Sequence, residues 1–175
     1  VRVKKNVAES ALKMSLSRLQ KNLARAAPSL GAIGKIENIN MYSNLRIVTF
    51  EKNLAVHEKM SNLYKKIKAV NGFINITEGV HEVTIILEDS TKIDFGSAAQ
   101  LKKEFRSIAA IGIKFPEHYV SMRGFFYLLI QLITLQGINI VEISSTYTEI
   151  IFYIHSTDAK LAFDTFFTYL NVNSI

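Results

Sequence analysis

The chain has four histidines, His57, His81, His118 and His155, and they are scattered. No H-x-H or H-E-x-x-H spacing joins them and no carboxylate cluster accompanies them, so no metal is expected. There are no cysteines. Thiolate nucleophiles, zinc–thiolate sites, iron–sulfur clusters and disulfides are therefore excluded together. The G-x-S-x-G elbow, the phosphate-binding P-loop and the G-x-G-x-x-G dinucleotide loop are also missing. Glu117–His118 could form an acid–base pair, but adjacent loop residues of these types are common. Gly31-Ala32-Ile33-Gly34 has the G-x-x-G spacing of a loop that clamps a nucleic-acid backbone. Its middle residues are not basic, and Pro28–Ser29 stand where that motif requires a helix, so a plain turn is the better reading. The expectation is a non-enzymatic protein without a cofactor.

Two segments keep a binding chemistry open. The first is Pro116-Glu117-His118-Tyr119-Val120-Ser121-Met122-Arg123-Gly124. A glycine at a helix start lets a ligand carboxylate approach the free backbone amides there. The second is the N-terminal arm. Residues 1–39 hold eight basic residues and two acids, whereas residues 40–175 carry thirteen of each sign. The whole net charge of +6 thus sits on the arm. Lys13, Arg18, Lys21 and Arg25 are candidate phosphate contacts on it; a solvated helix face explains them equally well.

The elements that must position these residues follow from periodicity. Ala8, Leu12, Leu16, Leu19, Leu23 and Ala26 recur at helical spacing, predicting an amphipathic helix over 7–27 that Pro28 stops. Residues 44–51 read as a strand. Leu54, Met60, Leu63, Ile67 and Val70 mark a helix that Asn71–Gly72 ends. Residues 73–77 and 82–88 form a hairpin around Glu78–Gly79. Ala98, Leu101, Phe105 and Ile108 predict a short second helix. The order then recurs: strand 109–115, helix 122–136, strand 138–144, strand 149–154 and helix 158–170, the last with Ala162, Phe163, Phe166, Phe167 and Leu170 inward. Gly124 to Val141 is free of formal charge, yet Gln131, Thr134, Gln136, Gly137 and Asn139 interrupt it, so a buried helix is preferred to a membrane span.

This is an internal repeat. Phe50 and Phe115 are 65 apart, as are Gly72 and Gly137; Asn75–Ile76 and Asn139–Ile140 are 64 apart, and Glu82 and Glu149 are 67 apart. Each unit reads β-α-β-β-α, and right-handed connections turn that order into a ferredoxin-like α+β sandwich. Which strand completes each unit is left open, though 109–115 could serve both. The division expected is a basic helical arm at 1–39, one unit at 40–106 and a second at 107–175.

The stretch Leu135-Gln-Gly-Ile-Asn-Ile-Val-Glu-Ile-Ser-Ser-Thr-Tyr-Thr-Glu-Ile-Ile-Phe152 resembles the ACT domain, a small amino-acid-sensing module. It is most similar to the paired ACT units of aspartokinases and of related archaeal proteins, some of which carry a helix-turn-helix ahead of the pair. Residues 1–27 resemble the end of such a segment. The resemblance covers about 107–170 well and 40–106 more loosely. It implies an effector against the strand-to-helix loop and the following strand, usually across a paired unit. Carried over by position, Arg123, Gly124, Asn139 and Ile140 are the candidate ligand contacts. Arg123 and the helix amides suit a carboxylate, and carbonyls near Asn139 and Ile140 suit an ammonium group, so a free α-amino acid is the expected effector. Many relatives have Pro before this glycine; here Met122–Arg123 stand instead. Gly124 equally permits tight packing, and Asn139 equally caps a turn. Gly124→Val is expected to block the amides and leave the fold intact. The matching loop of the first unit, Glu51-Lys52-Asn53-Leu54, lacks a glycine and is expected to be structural.

The function implied is small-molecule, amino-acid-type sensing by a cytoplasmic regulatory protein. The alternatives are a DNA-binding transcriptional regulator acting through the arm, and a regulatory subunit of an amino-acid biosynthetic enzyme. The nearly all-apolar helix 122–136 implies a homo-oligomer. The start at Val1 suggests processing or a longer gene.

Overall fold

The computed structural model describes residues 13–18, 36–94, 96 and 99–170. Residues 13–18, labelled α1, are helical and exposed, Leu16 of the expected apolar stripe included. The remainder of the helix expected over 7–27 lies outside the described residues. β1 (Asn38–Glu51) is followed by α2 (Leu54–Ala69), β2 (Ile74–Glu78), β3 (Glu82–Glu88) and β4 (Leu101–Lys114). A 3-10 turn (Glu117–Ser121) leads into α3 (Phe125–Thr134), then β5 (Ile140–Ser145), β6 (Glu149–His155) and α4 (Ala159–Tyr169). The fold is mixed α+β, as the periodicity predicted.

All six strands form one antiparallel sheet in the order β2-β3-β1-β4-β6-β5. Its two central strands are 14 residues each and each serves two units. The C-terminal part of β1 pairs with β3, while its beginning, Asn38 to Tyr42, lies against Lys114 to Ala110 of β4. β4 in turn finishes the first unit through Leu101–Phe105 and opens the second through Ile108–Lys114, which pairs with β6. The strand completing the second unit therefore comes from before the first unit in sequence.

A flat six-stranded sheet would hold its outer strands about 24 Å apart. Here Asn75 of β2 donates a hydrogen bond to Ser144 of β5 at 3.2 Å. The sheet must be folded over so that its halves face one another. The bend falls where β1 and β4 slip register, between Tyr42 and Leu45 and again between Leu45 and Ile47. Asn44 and Ser107 take positive φ there, 59° and 55°. A residue with no register partner bends its strand and increases the local twist.

Three cores result. α2 covers Val48, Phe50, Val83, Ile85 and Leu87 on the outside of one half. α3 and α4 cover Ile111, Ile113, Ile150, Phe152 and Ile154 on the outside of the other. Between the halves lie Leu45, Ile47, Ile86, Ile108, Ala110 and Tyr153, all buried. The molecule is thus layered α/β/β/α.

Four sequence expectations change. The spacing predicts a helix over 98–108, but 101–108 belong to β4: Leu101 to Phe105 pair with Phe50 to Ile47 of β1, and Ile108, the one buried residue of the eight, pairs with Leu45 of β1 and His155 of β6. The first unit therefore lacks a second helix, and the segment from Asp89 to Gln100 connects β3 to β4 instead. In α2 the apolar stripe starts at Val56; Leu54 and Val70 are 84% and 76% exposed. In α4 Phe167 is 59% exposed, while Thr165 is buried with Phe166 and its hydroxyl donates to the Leu161 carbonyl.

Candidate functional site

The strand-to-helix loop of the second unit builds a cavity of about 330 Å³. Its walls are the turn Tyr119–Met122, the first turn of α3 from Gly124 to Tyr127, and the β5–β6 turn Ser145–Tyr147. Sequence dictates the first two walls. Tyr119 donates its amide to the Pro116 carbonyl and Met122 returns to Tyr119, which fixes the tight turn. Phe115, Tyr119 and Phe125 then pack their rings at 4.7–4.9 Å, anchoring the loop on the end of β4. Gly124 has φ 80° and is the N-cap of α3 without a side-chain cap, so the helix start presents backbone instead. The first amides of any helix have no intrahelical acceptor; here that of Phe125 donates to the Met122 carbonyl at 3.3 Å, which leaves the next ones for a ligand.

The third wall is tied to the first. The Tyr147 hydroxyl donates to Glu117 across 30 residues. That carboxylate, by accepting the bond, raises the Tyr147 pKa above its ordinary value. His118 lies against Tyr119, 4.2 Å between ring centroids. Glu117 and His118 are thus engaged with different tyrosines, and no hydrogen bond joins them among the described residues.

Of the four carried-over contacts, the structure puts only Gly124 in the cavity wall. Arg123 is exposed on the loop just before it. Asn139, also exposed, precedes β5 at the far end of α3, about 15 Å along the helix. Ile140 is half-buried and packs into the core beneath α3 and α4. Within one chain the two pairs do not meet. Of the arm residues, Lys13 and Arg18 lie on exposed α1, and Lys21 and Arg25 fall outside the described residues.

The repeat that suggested these positions is real in topology and displaced in register. Asn71 and Gly137 both take the left-handed conformation after their helices, with φ 54° and 75°. Gly72 and Ile138 then donate to Ile67 and Ile133 in the same way. Asn71, not Gly72, is therefore the counterpart of Gly137, and Phe73 is the counterpart of Asn139. β5 also carries a register shift between Ile140 and Glu142 that β2 lacks. Asn75 and Asn139 are not equivalent.

Phe73 and Asn75 line a second cavity, of about 430 Å³, which the sequence did not signal. It brings the start of β2 against β6 of the other half, with Tyr42, Lys68, Glu88 and Glu149 around it. Tyr42 and Phe73 pack at 4.8 Å. The cavity exists only because the sheet folds over, so no local motif announces it.

In the first unit Asn53 caps α2, its side chain accepting from the Val56 amide at 2.9 Å, in keeping with a structural loop. No group of three or more metal-ligating side chains is assembled among the described residues. Nor is any helix among them long and apolar enough to cross a membrane.

The fold defines a class: paired ferredoxin-like units of the ACT type. Solved structures bear this out at the level of fold. Aspartate kinase from Clostridium acetobutylicum superposes with a TM-score of 0.64 at 15% identity over 79% of this chain and 36% of its own. The regulatory subunit of aspartate kinase from Thermus thermophilus, in a ligand-free form, gives 0.55 at 12% over 74% of this chain and 95% of its own. E. coli aspartokinase III in complex with lysine and aspartate gives 0.53 at 12% over 78% and 33%. The chain spans about a third of the two kinases and nearly all of the Thermus regulatory subunit. No family model and no curated protein sequence matches.

Proposed function

We propose that this chain is a non-catalytic regulatory module whose second unit binds a small effector, an α-amino acid, in the cavity at the start of α3. The carrying observation is the bare helix start at Gly124, set in a cavity of amino-acid size beneath the β5–β6 turn. Amides at a helix N-terminus suit a carboxylate. The kinship in fold with the regulatory subunit of an aspartate kinase, and with part of aspartokinase III, an enzyme solved in complex with lysine and aspartate, supports the reading. A partner enzyme regulated by the module, a division at residues 39 and 106, and a homo-oligomer covering α3 belong to the same proposal.

The test is a thermal-shift screen of the common amino acids. A ligand at 100 times its dissociation constant should stabilise the fold by about 2.7 kcal/mol. Ser145→Trp should fill the cavity from its exposed rim and abolish the shift. If no amino acid moves the melting temperature, the reading fails.

A further inference from the structure

We infer that the cavity selects amino acids with an apolar side chain, aromatic or branched aliphatic, over charged ones. This rests on the reading that the cavity is the effector site. Its side-chain walls are Tyr119, Met122, Phe125, Phe126, Tyr127 and Tyr147. The polar groups among them are hydroxyls, those of Ser145, Thr146 and the tyrosines; none of the lining side chains is Lys, Arg, His, Asp or Glu. The nearby carboxylate, Glu117, lies outside the lining, behind Tyr147, whose hydroxyl it accepts from. Arg123 is on the loop outside the wall.

A charged side chain entering this space gives up hydration and finds no ion partner. An apolar one exchanges water for aromatic surface and gains on both counts. Size sets the other limit. At about 330 Å³, the cavity is at the small end of ligand sites and accommodates one amino acid but not a dinucleotide. The second cavity shows the contrast within the same molecule: Lys68, Glu88 and Glu149 line it, so nothing in its chemistry favours an apolar ligand.

The experiment titrates the full chain calorimetrically with phenylalanine, leucine, methionine, lysine and aspartate. Binding of at least one apolar ligand should be about tenfold or more tighter than that of lysine and aspartate, the scale on which pockets discriminate such differences. Two exposed rim positions allow the preference to be reversed without touching the core. Val120 is 47% exposed and Tyr127 54% exposed. Val120→Glu should weaken the apolar ligand and raise the affinity for lysine; Tyr127→Lys should do the same for aspartate. If lysine or aspartate binds the parent as tightly as leucine, and Ser145→Trp abolishes that binding, the selectivity is wrong while the effector site stands. If no amino acid binds, or Ser145→Trp binds like the parent, both the selectivity and the site are overturned.

Discussion

Gly124 carries the site through its backbone. With φ 80°, it occupies a conformation in which a β-branched side chain is strained. Gly124→Val is therefore expected to lose about 1–3 kcal/mol of stability, read as a lower urea midpoint. This corrects the expectation that the substitution would spare the fold, and it makes Ser145→Trp the cleaner probe of the cavity. Ser107 sits in the same left-handed region, φ 55°, at the bend of β4, and its side chain is exposed. Ser107→Gly is expected to be neutral or to gain up to about 1 kcal/mol, whereas Ser107→Val should lose about 1–2. Equal effects of the two changes would show that the bend does not depend on that residue's conformation. Asn139 makes the opposite lesson at this scale. Its sequence match to Asn75 is close, yet the matching helix ends at Asn71 and Gly137 put Asn139 opposite Phe73, two residues short of Asn75.

Among the elements, α3 bears the most apolar load. Five of its ten residues, including Leu129 at 0% exposure, are buried in the larger core. Leu129→Ala is expected to cost about 2–5 kcal/mol in chemical denaturation. The segment from Asp89 to Gln100 stands where the second unit has α4. It pins Arg46, which is 7% exposed: Nη1 lies 3.2 Å from Glu104, Nη2 donates to the Thr91 carbonyl, and Nε has no hydrogen-bond partner. Glu104 keeps a second cation, Arg106, at 2.8 Å. Replacing Arg46 thus leaves no carboxylate unpaired. Arg46→Met, of similar reach and without the orphaned nitrogen, is expected to cost less than Arg46→Ala. Equal losses in urea would place the value of Arg46 in its charge.

The seam between the two half-sheets belongs to the whole molecule. Tyr153 is buried there, its hydroxyl 3.1 Å from that of Ser144, which in turn accepts from Asn75. Burial pushes the Tyr153 pKa up to about 12, against the smaller opposing effect of the Ser144 hydrogen bond. The folded state therefore holds this proton more tightly than the unfolded chain, whose tyrosine titrates near 10. The contribution is fully present below about pH 10 and is lost as pH rises toward about 12, by roughly 2–3 kcal/mol in all. Tyr153→Phe should flatten the alkaline limb of a stability profile by that much; an unchanged limb would assign it to other groups. On the outer surface α3 has no charged residue, and its Phe126 and Tyr127 are 42% and 54% exposed. Sedimentation at micromolar concentration is expected to show a dimer or larger assembly; a clean monomer would contradict it.

Alternation and helical periodicity, read from residue order alone, found all six strands at least in part, all three helices of the body, the repeat, and the loop ending in Gly124. Those features are local: a stripe at spacings of three and four, an Asn-Gly helix stop and a glycine at a helix start act within a few residues of themselves. The exchange of β1 between units, the fold of the sheet at Asn44 and Ser107, and the strand at 101–108 were decided by tertiary pairing. That last segment carries its apolar residues, Leu101, Phe105 and Ile108, at helical spacing only, and the strand partners that override it are about 55 residues before it and 45 after. The aromatic cavity stands between these cases. Its loop was legible at Gly124, but its outer wall at Ser145–Tyr147 arrives only when β5 and β6 join the sheet beside β4. Burial of both faces of one folded sheet is a property of the assembled chain, and no window of sequence contains it.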